Sequence, residues 1–325
     1  MNQVSRRAAL QAIRSAILLV AGGRIAFAQS TSWPKERVIR WLVGVPPAGS
    51  ADPLTRAIAE QLSKRLNQSI VIENKAGAGQ AIAAREAANA TADGYTLLTI
   101  AGPVLYAGPT PMIGEGLDPV IQIAQQPMII AGTTKRPTTD LNAVVAAAKA
   151  SPADWSFASA GVASSHHIAG EWLNMLAGTK IQHVPYRGGG SAMTDAISGQ
   201  IPLIIVGAGP AIPQIHAGAL RGYALTTRSR LKSLPDVPTL AELGFPQFDL
   251  SQWFGVAVRS GTPQPIVQRL NREIDDIIRT PSLQDILDTL GAEAVGGAAE
   301  QWGRAYAEDL RKWRDLVRQL NISLQ

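Results

Sequence analysis

The strongest constraint on the fold is a regular alternation of strand-like and helix-like stretches that begins after residue 33. An apolar run over 38–43 ends at a glycine and leads into a turn-rich loop. Leu or Ile then recurs at every fourth position from Leu54 to Leu66, which predicts one buried helix face, with Asp52 before Pro53 as its N-cap. A strand, a helix and a strand follow over 69–73, 81–90 and 95–100. This order predicts a β-α-β-α-β unit with parallel strands and right-handed crossovers.

The same alternation returns between residues 141 and 226. We predict helices over 141–149, 164–176, 192–198 and 212–217, and strands over 155–160, 183–186, 201–206 and 220–226. A last strand over 253–258 precedes helices over 266–279, 283–290 and 299–320. The predicted fold class is therefore α/β, with two domains that each contain a mostly parallel sheet flanked by helices. We expect the chain to cross between domains near 130–135 and 249–253, so that 29–132 plus 253–325 form domain 1 and 133–252 form domain 2.

The first 28 residues have the features of an export signal. Arg6 and Arg7 give a positive start, an apolar stretch spans 16–21, and Ala26-Phe27-Ala28 forms a small-x-small cleavage motif. We expect cleavage after Ala28 and a soluble periplasmic protein, by either the Sec or the twin-arginine route. An amphipathic first helix of the folded domain is the alternative interpretation. The chain has no Cys, which excludes thiolate metal sites, cysteine catalysis and a lipid anchor on Cys.

Charge argues against nucleic acid or an anionic membrane as a partner. The chain has 30 Lys and Arg against 25 Asp and Glu, but four of the arginines lie within residues 1–28. Without that segment, 26 basic residues stand against 25 acidic ones. A nearly neutral protein lacks the basic surface that binding to phosphates requires. With 46% apolar and 17% charged residues, the composition favours a folded protein with a sizeable core.

Motifs for catalysis, cofactors and metals do not stand out. No G-x-S-x-G nucleophile elbow occurs, and Ser164-Ser165-His166-His167 lies on one helix start, where neighbouring side chains do not face each other. His167 and Glu171 have the i, i+4 spacing of a metal-binding pair, yet no third ligand stands near them. The glycine-rich stretches 77–79 and 207–209 lack the last glycine of a dinucleotide motif. We therefore predict no catalytic residues, no cofactor and no metal site.

Three loops could instead hold an anion at the start of a helix. Each joins a predicted strand to a predicted helix, where unpaired N–H groups and the helix dipole favour a carboxylate or phosphate. Small residues let a ligand approach the backbone closely. An ordinary capped connection is the alternative for any single loop, but three of them in two facing domains favour binding. These loops span residues 48–52, 159–164 and 187–191.

A series of short motifs follows in a fixed order between residues 33 and 320. It comprises Trp33-Pro34, Pro47 to Asp52, Glu73 to Gly79, Asp93 to Leu98, Ser159 to Gly161 with Ser164 and His167, His183 to Gly188, Leu234 to Thr239, and Gly261-Thr262-Pro263. In this order the motifs resemble those of the Bug-type periplasmic solute-binding receptors of tripartite tricarboxylate transporters. Each motif alone is weak, but their collinear order is specific.

The resemblance implies a two-domain periplasmic-binding fold that closes around a small carboxylate. It also implies a monomer that presents its closed form to the membrane subunits of a tripartite transporter. A ligand-sensing protein that docks on a membrane sensor is the alternative, and an enzyme on the same scaffold is a third reading. Carried over residue by residue, the expected ligand-binding residues are Ala48, Gly49, Ser50, Ala51, Asp52, Ser159, Ala160, Gly161 and Ser164, together with Gly189 of the third loop. We place Ala101, Gly102 and Val206 on the far side of the cleft.

Departures from the family pattern bear on the ligand. Ala48 replaces a family glycine, and Pro202 and Val206 stand where many members carry Asp. Without an acid there, the ammonium group of an amino acid would be buried unpaired, which costs several kcal/mol. We therefore expect a carboxylate with an apolar or aromatic body, or a simple dicarboxylate, rather than an amino acid.

Overall fold

The first predicted unit folds as a parallel β-α-β-α-β arrangement. The computed structural model describes residues 33–47, 50–103 and 110–323, so the predicted export signal and its cleavage site lie outside the described residues. The elements are β1 (Ile39–Val43), α1 (Ala51–Leu66), β2 (Ile70–Asn74), α2 (Ala81–Asn89) and β3 (Thr96–Gly102). Strand β1 pairs in parallel with β2 on one side and with β3 on the other.

The start of α1 differs from the prediction. The helix begins at Ala51, and Ser50 is its N-cap, so the prediction of Asp52 as N-cap is wrong. The Asp52 carboxylate lies inside the first turn, where it accepts hydrogen bonds from Arg56 and Asn74. The predicted apolar face is confirmed, since Leu54, Ile58 and Leu62 are fully buried.

The second unit repeats the parallel arrangement further along the chain. Strand β6 pairs in parallel with β7 and with β8, and the intervening helices connect them. The predicted elements from 141 to 226 are confirmed within a few residues at each end. Their bounds are α3 (Leu141–Ala150), β6 (Ser156–Ser159), α4 (Ser165–Ala177), β7 (Gln182–Pro185), α5 (Gly189–Ser198), β8 (Leu203–Gly207), α6 (Ala208–His216) and β9 (Leu220–Leu225).

An 18-residue strand, β5 (Gly116–Thr133), joins the two units and was not predicted. Up to Pro127 it pairs antiparallel with β10 (Ser251–Arg259), and from Met128 onward it pairs antiparallel with β8 and β9. Strand β10 in turn pairs antiparallel with β3. The resulting order, β2-β1-β3-β10-β5-β8-β6-β7, makes a mixed sheet in which antiparallel strands separate two parallel units.

The C-terminal helices pack on both units. They are α7 (Gln264–Ile278), α8 (Pro281–Thr289) and α9 (Ala299–Gln319), and the short strands β4 (Met112–Ile113) and β11 (Glu293–Ala294) flank β5. Trp302 and Tyr306 of α9 belong to an apolar cluster with Leu42 of the first unit, whereas Trp313 belongs to one with Phe157 of the second. Both parallel arrangements belong to one compact body, which comprises residues 37–325. Among the described residues, none of the helices combines the length and apolarity that crossing a bilayer needs.

Candidate functional site

The predicted binding loops lie beyond the carboxyl ends of parallel strands. The first follows β1 and leads into α1, the second follows β6 and leads into α4, and the third follows β7 and leads into α5. Ala48 and Gly49, two predicted members of the first loop, lie outside the described residues. Carboxyl ends of parallel strands are the usual place for ligands in open α/β sheets.

In the first loop, Ser50 and Asp52 have different surroundings. The Ser50 hydroxyl oxygen accepts a hydrogen bond from Gln126 Nε2 at 3.2 Å. Asp52 is buried, and its Oδ1 accepts hydrogen bonds from Asn74 Nδ2 at 2.9 Å and from Arg56 Nε at 3.1 Å. Asn74 also donates to the Val45 carbonyl, so it ties the loop to the start of the helix. Asp52 therefore acts as a fixed structural anchor beneath the predicted binding loop.

In the second loop, side chains fold back onto the loop itself. Ser159, the last residue of β6, is fully buried, and its Oγ lies 2.6 Å from His183 Nε2 and 3.1 Å from the Gly161 backbone. Ser164 caps α4, since its Oγ accepts from the His167 N–H, and it donates to the Gly161 carbonyl. Gly161 has a φ of +134°, a conformation that glycine adopts without strain. Ala160 lies between these anchored positions.

The histidines beneath this loop are held in their neutral form. His183 stacks on His167, and burial together with that neighbour lowers the pKa of His183 to about 4. Burial also lowers the pKa of His167, whose Nδ1 accepts from the Ala163 N–H. His167 Nε2 lies 3.8 Å from Glu171, and burial raises the pKa of that carboxyl group. Both histidines therefore fasten the second loop as neutral side chains at pH 7.

Ala101 and Gly102 end β3, and their surroundings leave little room. Gln80 Oε1 accepts from the Ala101 N–H at 3.0 Å, and Gln80 Nε2 donates to the Ala101 carbonyl at 2.6 Å. The amide of Gln80 thus replaces a neighbouring strand at this end of the sheet. A Cβ atom on Gly102 would lie 1.9 Å from the Trp253 indole, so only glycine fits there. Gln80 was not predicted, and its glycine-rich setting at 77–79 was the one signal near it.

Gly189 and Val206 meet at the third loop. A Cβ atom on Gly189 would lie 3.6 Å from Val206 Cγ1, in ordinary contact. Val206 is 1% exposed and packs in an apolar cluster with Ile129 and Ala208. Pro202 precedes β8 and Val206 lies near its end, so the two positions expected to shape the ligand site stand at opposite ends of one strand.

A chain of side-chain hydrogen bonds connects the first loop to the second. Gln126 of β5 and Gln252 of β10 are directly paired in the antiparallel register. Gln126 Nε2 donates to Ser50 Oγ at 3.2 Å and to Gln252 Oε1 at 3.3 Å, and Gln252 Nε2 donates to Ser165 Oγ at 3.2 Å. This polar chain, Ser50–Gln126–Gln252–Ser165, crosses from the start of α1 to the start of α4. It therefore joins the two loops that the sequence predicts to bind the ligand.

Gln126 and Gln252 escaped the sequence analysis because neither belongs to a motif. Each stands in a pair of polar residues beside an apolar stretch, Gln125-Gln126 and Ser251-Gln252, and such a pair carries no specific signal. Their close packing is visible only in three dimensions: a Cβ atom on Gly207 would lie 2.1 Å from Gln126 Nε2. The glycine at position 207 is thus the one indirect signal of a close approach.

The chemistry of these groups favours binding. In the described part of the chain, no three His, Asp or Glu side chains are grouped to hold a metal ion. Ser159 and His183 do form a close serine–histidine pair, which the sequence did not indicate. The Ser159 side chain is fully buried, and its hydroxyl group forms hydrogen bonds with the Gly161 backbone. Its position is therefore suited to holding the loop in place.

The fold and these loops define a class, the periplasmic binding proteins. A solved protein described as a periplasmic transporter superposes with a TM-score of 0.84 at 34% identity, covering 90% of this chain and all of that one. Periplasmic binding protein BugD superposes with a TM-score of 0.82 at 28% identity, covering 89% of this chain and 99% of that chain. The expected α/β periplasmic-binding fold is therefore confirmed.

Sequence comparison gives the family. The model of the tripartite tricarboxylate transporter family receptor, TctC, matches residues 54–322, and the chain belongs to this family of solute-binding receptors. BugT of Bordetella pertussis is 31% identical over 316 residues, which cover 95% of this chain and 97% of that protein. A Pseudomonas protein from the tcbD–tcbE intergenic region is 33% identical over 287 residues, covering 86% of this chain and 85% of that protein. The resemblance stated from the motifs is confirmed.

Proposed function

We propose that this protein captures a small carboxylate between the loops that follow β1 and β6. In this proposal it delivers the ligand to the membrane subunits of a tripartite transporter. The observation that carries the proposal is the polar chain, which connects Ser50 at the start of α1 to Ser165 at the start of α4. Helix starts offer N–H groups to a carboxylate without any Lys or Arg.

Two solved relatives support the ligand class. A Rhodopseudomonas palustris protein, Rpa4515, was solved with adipate and superposes with a TM-score of 0.84 at 29% identity, over 90% of this chain and 99% of its own. MatC from the same organism was solved with bound malate and superposes with a TM-score of 0.79 at 27% identity, over 87% of this chain and 99% of its own. Both ligands are carboxylates, which supports a carboxylate here.

The proposal includes an arrangement of domains and a place of action. Residues 29–132 with 253–325 and residues 133–252 would form two domains, with β5 and β10 as the connections between them. Ligand contacts that improve when the domains approach each other would favour a closed form, which the membrane subunits would recognise. Export by the N-terminal segment, with cleavage after residue 28, would place the receptor in the periplasm as a monomer without enzymatic activity.

The test is the ligand itself. Native mass spectrometry of the purified full-length protein should detect a retained small carboxylate. A thermal-shift panel of aromatic acids, dicarboxylates, citrate and acidic amino acids should then identify stabilising compounds. A ligand at 100 times its Kd adds about 2.7 kcal/mol of stability, which shifts Tm by several degrees. Stabilisation by amino acids alone would contradict the expected ligand class, and stabilisation by no carboxylate would contradict the proposed function.

A further inference from the structure

A cavity of about 370 Å³ lies where the second loop and the start of α4 meet the chain that follows α9. Val162 of the loop, His167 and Glu171 of α4, and residues 320–323 line it. Small-molecule sites usually have volumes of about 300–1,000 Å³, so this cavity would hold a small ligand. No described residue of the first or third loop lines it, so the cavity is separate from the space between the loops that follow β1 and β6.

Glu171 brings a carboxylate to this cavity without a basic partner. Its side chain is 29% exposed, and burial raises the pKa of its carboxyl group. Asn174 Nδ2 donates to Oε2 at 3.3 Å, whereas Oε1 has no hydrogen bond among the described residues. Within the described part of the chain, no Lys or Arg forms an ion pair with Glu171 or lines the cavity. The negative charge of Glu171 is therefore unbalanced there.

His167 lies beside Glu171 but does not neutralise it. The residue is 9% exposed, and burial lowers the pKa of its ring, so the ring is neutral at pH 7. Nδ1 accepts a hydrogen bond from the Ala163 N–H at 3.1 Å, which leaves the ring proton on Nε2. Nε2 lies 3.8 Å from Glu171 Oε1, which is too far for a hydrogen bond. A nearly buried N–H group therefore has no acceptor among the described residues.

The end of α9 adds to the negative potential of the cavity. This helix has 21 residues and its C-cap is Leu320, so the negative end of its dipole lies at one wall. Arg318 in the last turn pairs with Asp315 and does not line the cavity. Val162, which is 53% exposed, and Ile322 make other parts of the wall apolar. A negative charge beside apolar side chains suits a cation that carries an aliphatic group.

A metal ion fits these groups less well than an organic cation does. His167 Nε2 holds the ring proton, so it has no lone pair to offer a metal. Glu171 is the one carboxylate among the described lining residues, whereas metal sites in proteins use several ligands. An ammonium group carries its own hydrogen-bond donors and needs a single carboxylate as counter-charge.

We propose that this cavity is a second ligand site, which takes an organic ammonium ion with a short aliphatic body. The ammonium group donates to Glu171 Oε1, and the aliphatic body packs against Val162, Leu320 and Ile322. The inference goes beyond the proposed carboxylate binding, because it concerns a different space and a ligand of opposite charge. The second loop contributes to both sites, since Val162 directly follows Gly161, a predicted ligand-binding residue.

The experiment compares n-butylammonium with butan-1-ol, two probes of the same length that differ in charge. The full chain would be labelled with ¹⁵N-histidine, and NMR titration would follow the four imidazole rings. His167→Gln assigns the signal of His167, and exposed His216 serves as an internal reference. We expect butylammonium to shift the His167 signal and to bind about ten-fold or more tightly than butan-1-ol. A hydrogen bond to a charged group contributes enough free energy for that ratio.

A charge-removing variant and a matched control assign the preference to the cavity. Glu171→Gln keeps the shape of the side chain and should weaken butylammonium binding about ten-fold, while butan-1-ol binding changes little. Glu308→Gln removes the same charge from an exposed position on α9 that does not line the cavity. It should bind butylammonium as the wild type does. Circular dichroism would verify that each variant is folded.

The outcomes distinguish this site from the proposed receptor function. Equal affinity for the two probes, an unchanged His167 signal, or wild-type butylammonium binding in folded Glu171→Gln would each overturn the ammonium site. An equal loss of binding in both Glu→Gln variants would overturn it as well, because net charge alone would then explain the preference. Should Glu171→Gln fail to fold, the two probes on the wild type decide. Failure of every carboxylate to bind would overturn the proposed function and leave this site in place.

Discussion

The imidazole rings of His167 and His183 are stacked, with 3.8 Å between their centroids and 16° between their planes. Burial and the neighbouring ring lower the pKa of His183 from 6.5 to about 4. The unfolded chain therefore binds protons more readily than the folded protein between these values. The resulting contribution to stability is fully present above pH 6.5 and is lost as the pH falls toward 4.

The first prediction follows from this stack. His183→Gln keeps a polar group near Ser159 Oγ but removes one titrating ring. The free energy of unfolding of the wild type falls between pH 7 and pH 4.5. We expect this fall to be about 1–2 kcal/mol smaller in the variant, because the variant lacks one half-buried ring that must be protonated on unfolding. Urea unfolding at the two pH values measures the difference. His216→Gln, at an exposed position, is the control; equal pH dependence in all three proteins would contradict the prediction.

The second prediction concerns Asp309, which accepts hydrogen bonds from two indoles. Trp253 Nε1 donates to Oδ2 at 2.7 Å, and Trp313 Nε1 donates to Oδ1 at 3.1 Å. Asp309→Ala leaves both buried N–H groups without an acceptor and should lower the free energy of unfolding by about 2–4 kcal/mol. Asp309→Asn keeps one acceptor oxygen and removes a carboxylate whose pKa burial raises, so it should cost less.

Denaturant unfolding checks this order of stabilities. Asp315→Ala is the matched control, because Asp315 lies on the same helix, is exposed and pairs only with Arg318 among the contacts described. Its loss should change the free energy of unfolding by less than about 1 kcal/mol. If Asp309→Ala and Asp315→Ala had the same effect, the indole bonds would not contribute to stability.

The third prediction uses the contact between Gly207 and the polar chain. A Cβ atom there would lie 2.1 Å from Gln126 Nε2 and 2.7 Å from Gln252 Oε1. Gly207→Ala should displace these amides, destabilise the protein by about 1–3 kcal/mol and weaken ligand binding. The φ angle of Gly207 is −57°, which alanine adopts without strain. Any loss of stability or binding in Gly207→Ala therefore comes from the contact of the added Cβ atom with the two amides.

Gly190→Ala provides the comparison for this variant. Gly190 lies in α5, and a Cβ atom there meets nothing within 4 Å. It should therefore raise stability by about 0.5–1 kcal/mol, because alanine favours helix, so the loss of stability in Gly207→Ala can be assigned to its close contact. Thermal unfolding and calorimetric titration would test both. Wild-type affinity in folded Gly207→Ala would show that the polar chain can move without consequence for the ligand.

The fourth prediction concerns Gln80, whose side-chain amide pairs with both backbone groups of Ala101. Gln80→Glu keeps the acceptor for the Ala101 N–H but sets a carboxylate against the Ala101 carbonyl. We expect Gln80→Glu to be less stable than the wild type at pH 7 and to recover as the pH falls, since a protonated carboxyl group can donate to that carbonyl. The difference in melting temperature between the variant and the wild type, measured from pH 7 to pH 4, gives the recovery. A constant difference across this range would contradict the assigned hydrogen bonds.

Hydrophobic periodicity predicted most of the fold, whereas strand β5 was missed. In β5, Gln122, Gln125 and Gln126 interrupt the apolar residues, and Pro127 stands where the strand changes partners. The sequence of β5 therefore does not alternate regularly between apolar and polar residues, because the two halves of the strand have different neighbours. The C-terminal helices, by contrast, have one apolar face each and were predicted with nearly correct ends.

The residues of the candidate site could likewise be predicted only in part from the sequence. Small residues in the loops after β1 and β6 could be predicted because helix starts and family motifs mark them in a short stretch of sequence. Gln126 is hydrogen-bonded to Ser50, 76 residues earlier, and to Gln252, 126 residues later. The sequence around Gln126 does not indicate these contacts, since they depend on which strands become neighbours in the sheet.

The position of β10 has a consequence for the order of folding. Strands β3 and β5 are close in sequence, yet β10 lies between them in the sheet and ends only at Arg259. As the chain emerges from the ribosome, β3 and β5 therefore each keep an open edge until the residues of β10 have been made. Such distant pairing folds slowly and exposes strand edges to aggregation in the meantime. A nascent chain that stops before Ser251 would lack the strand that closes this gap, so shielding by a chaperone would matter most during that interval.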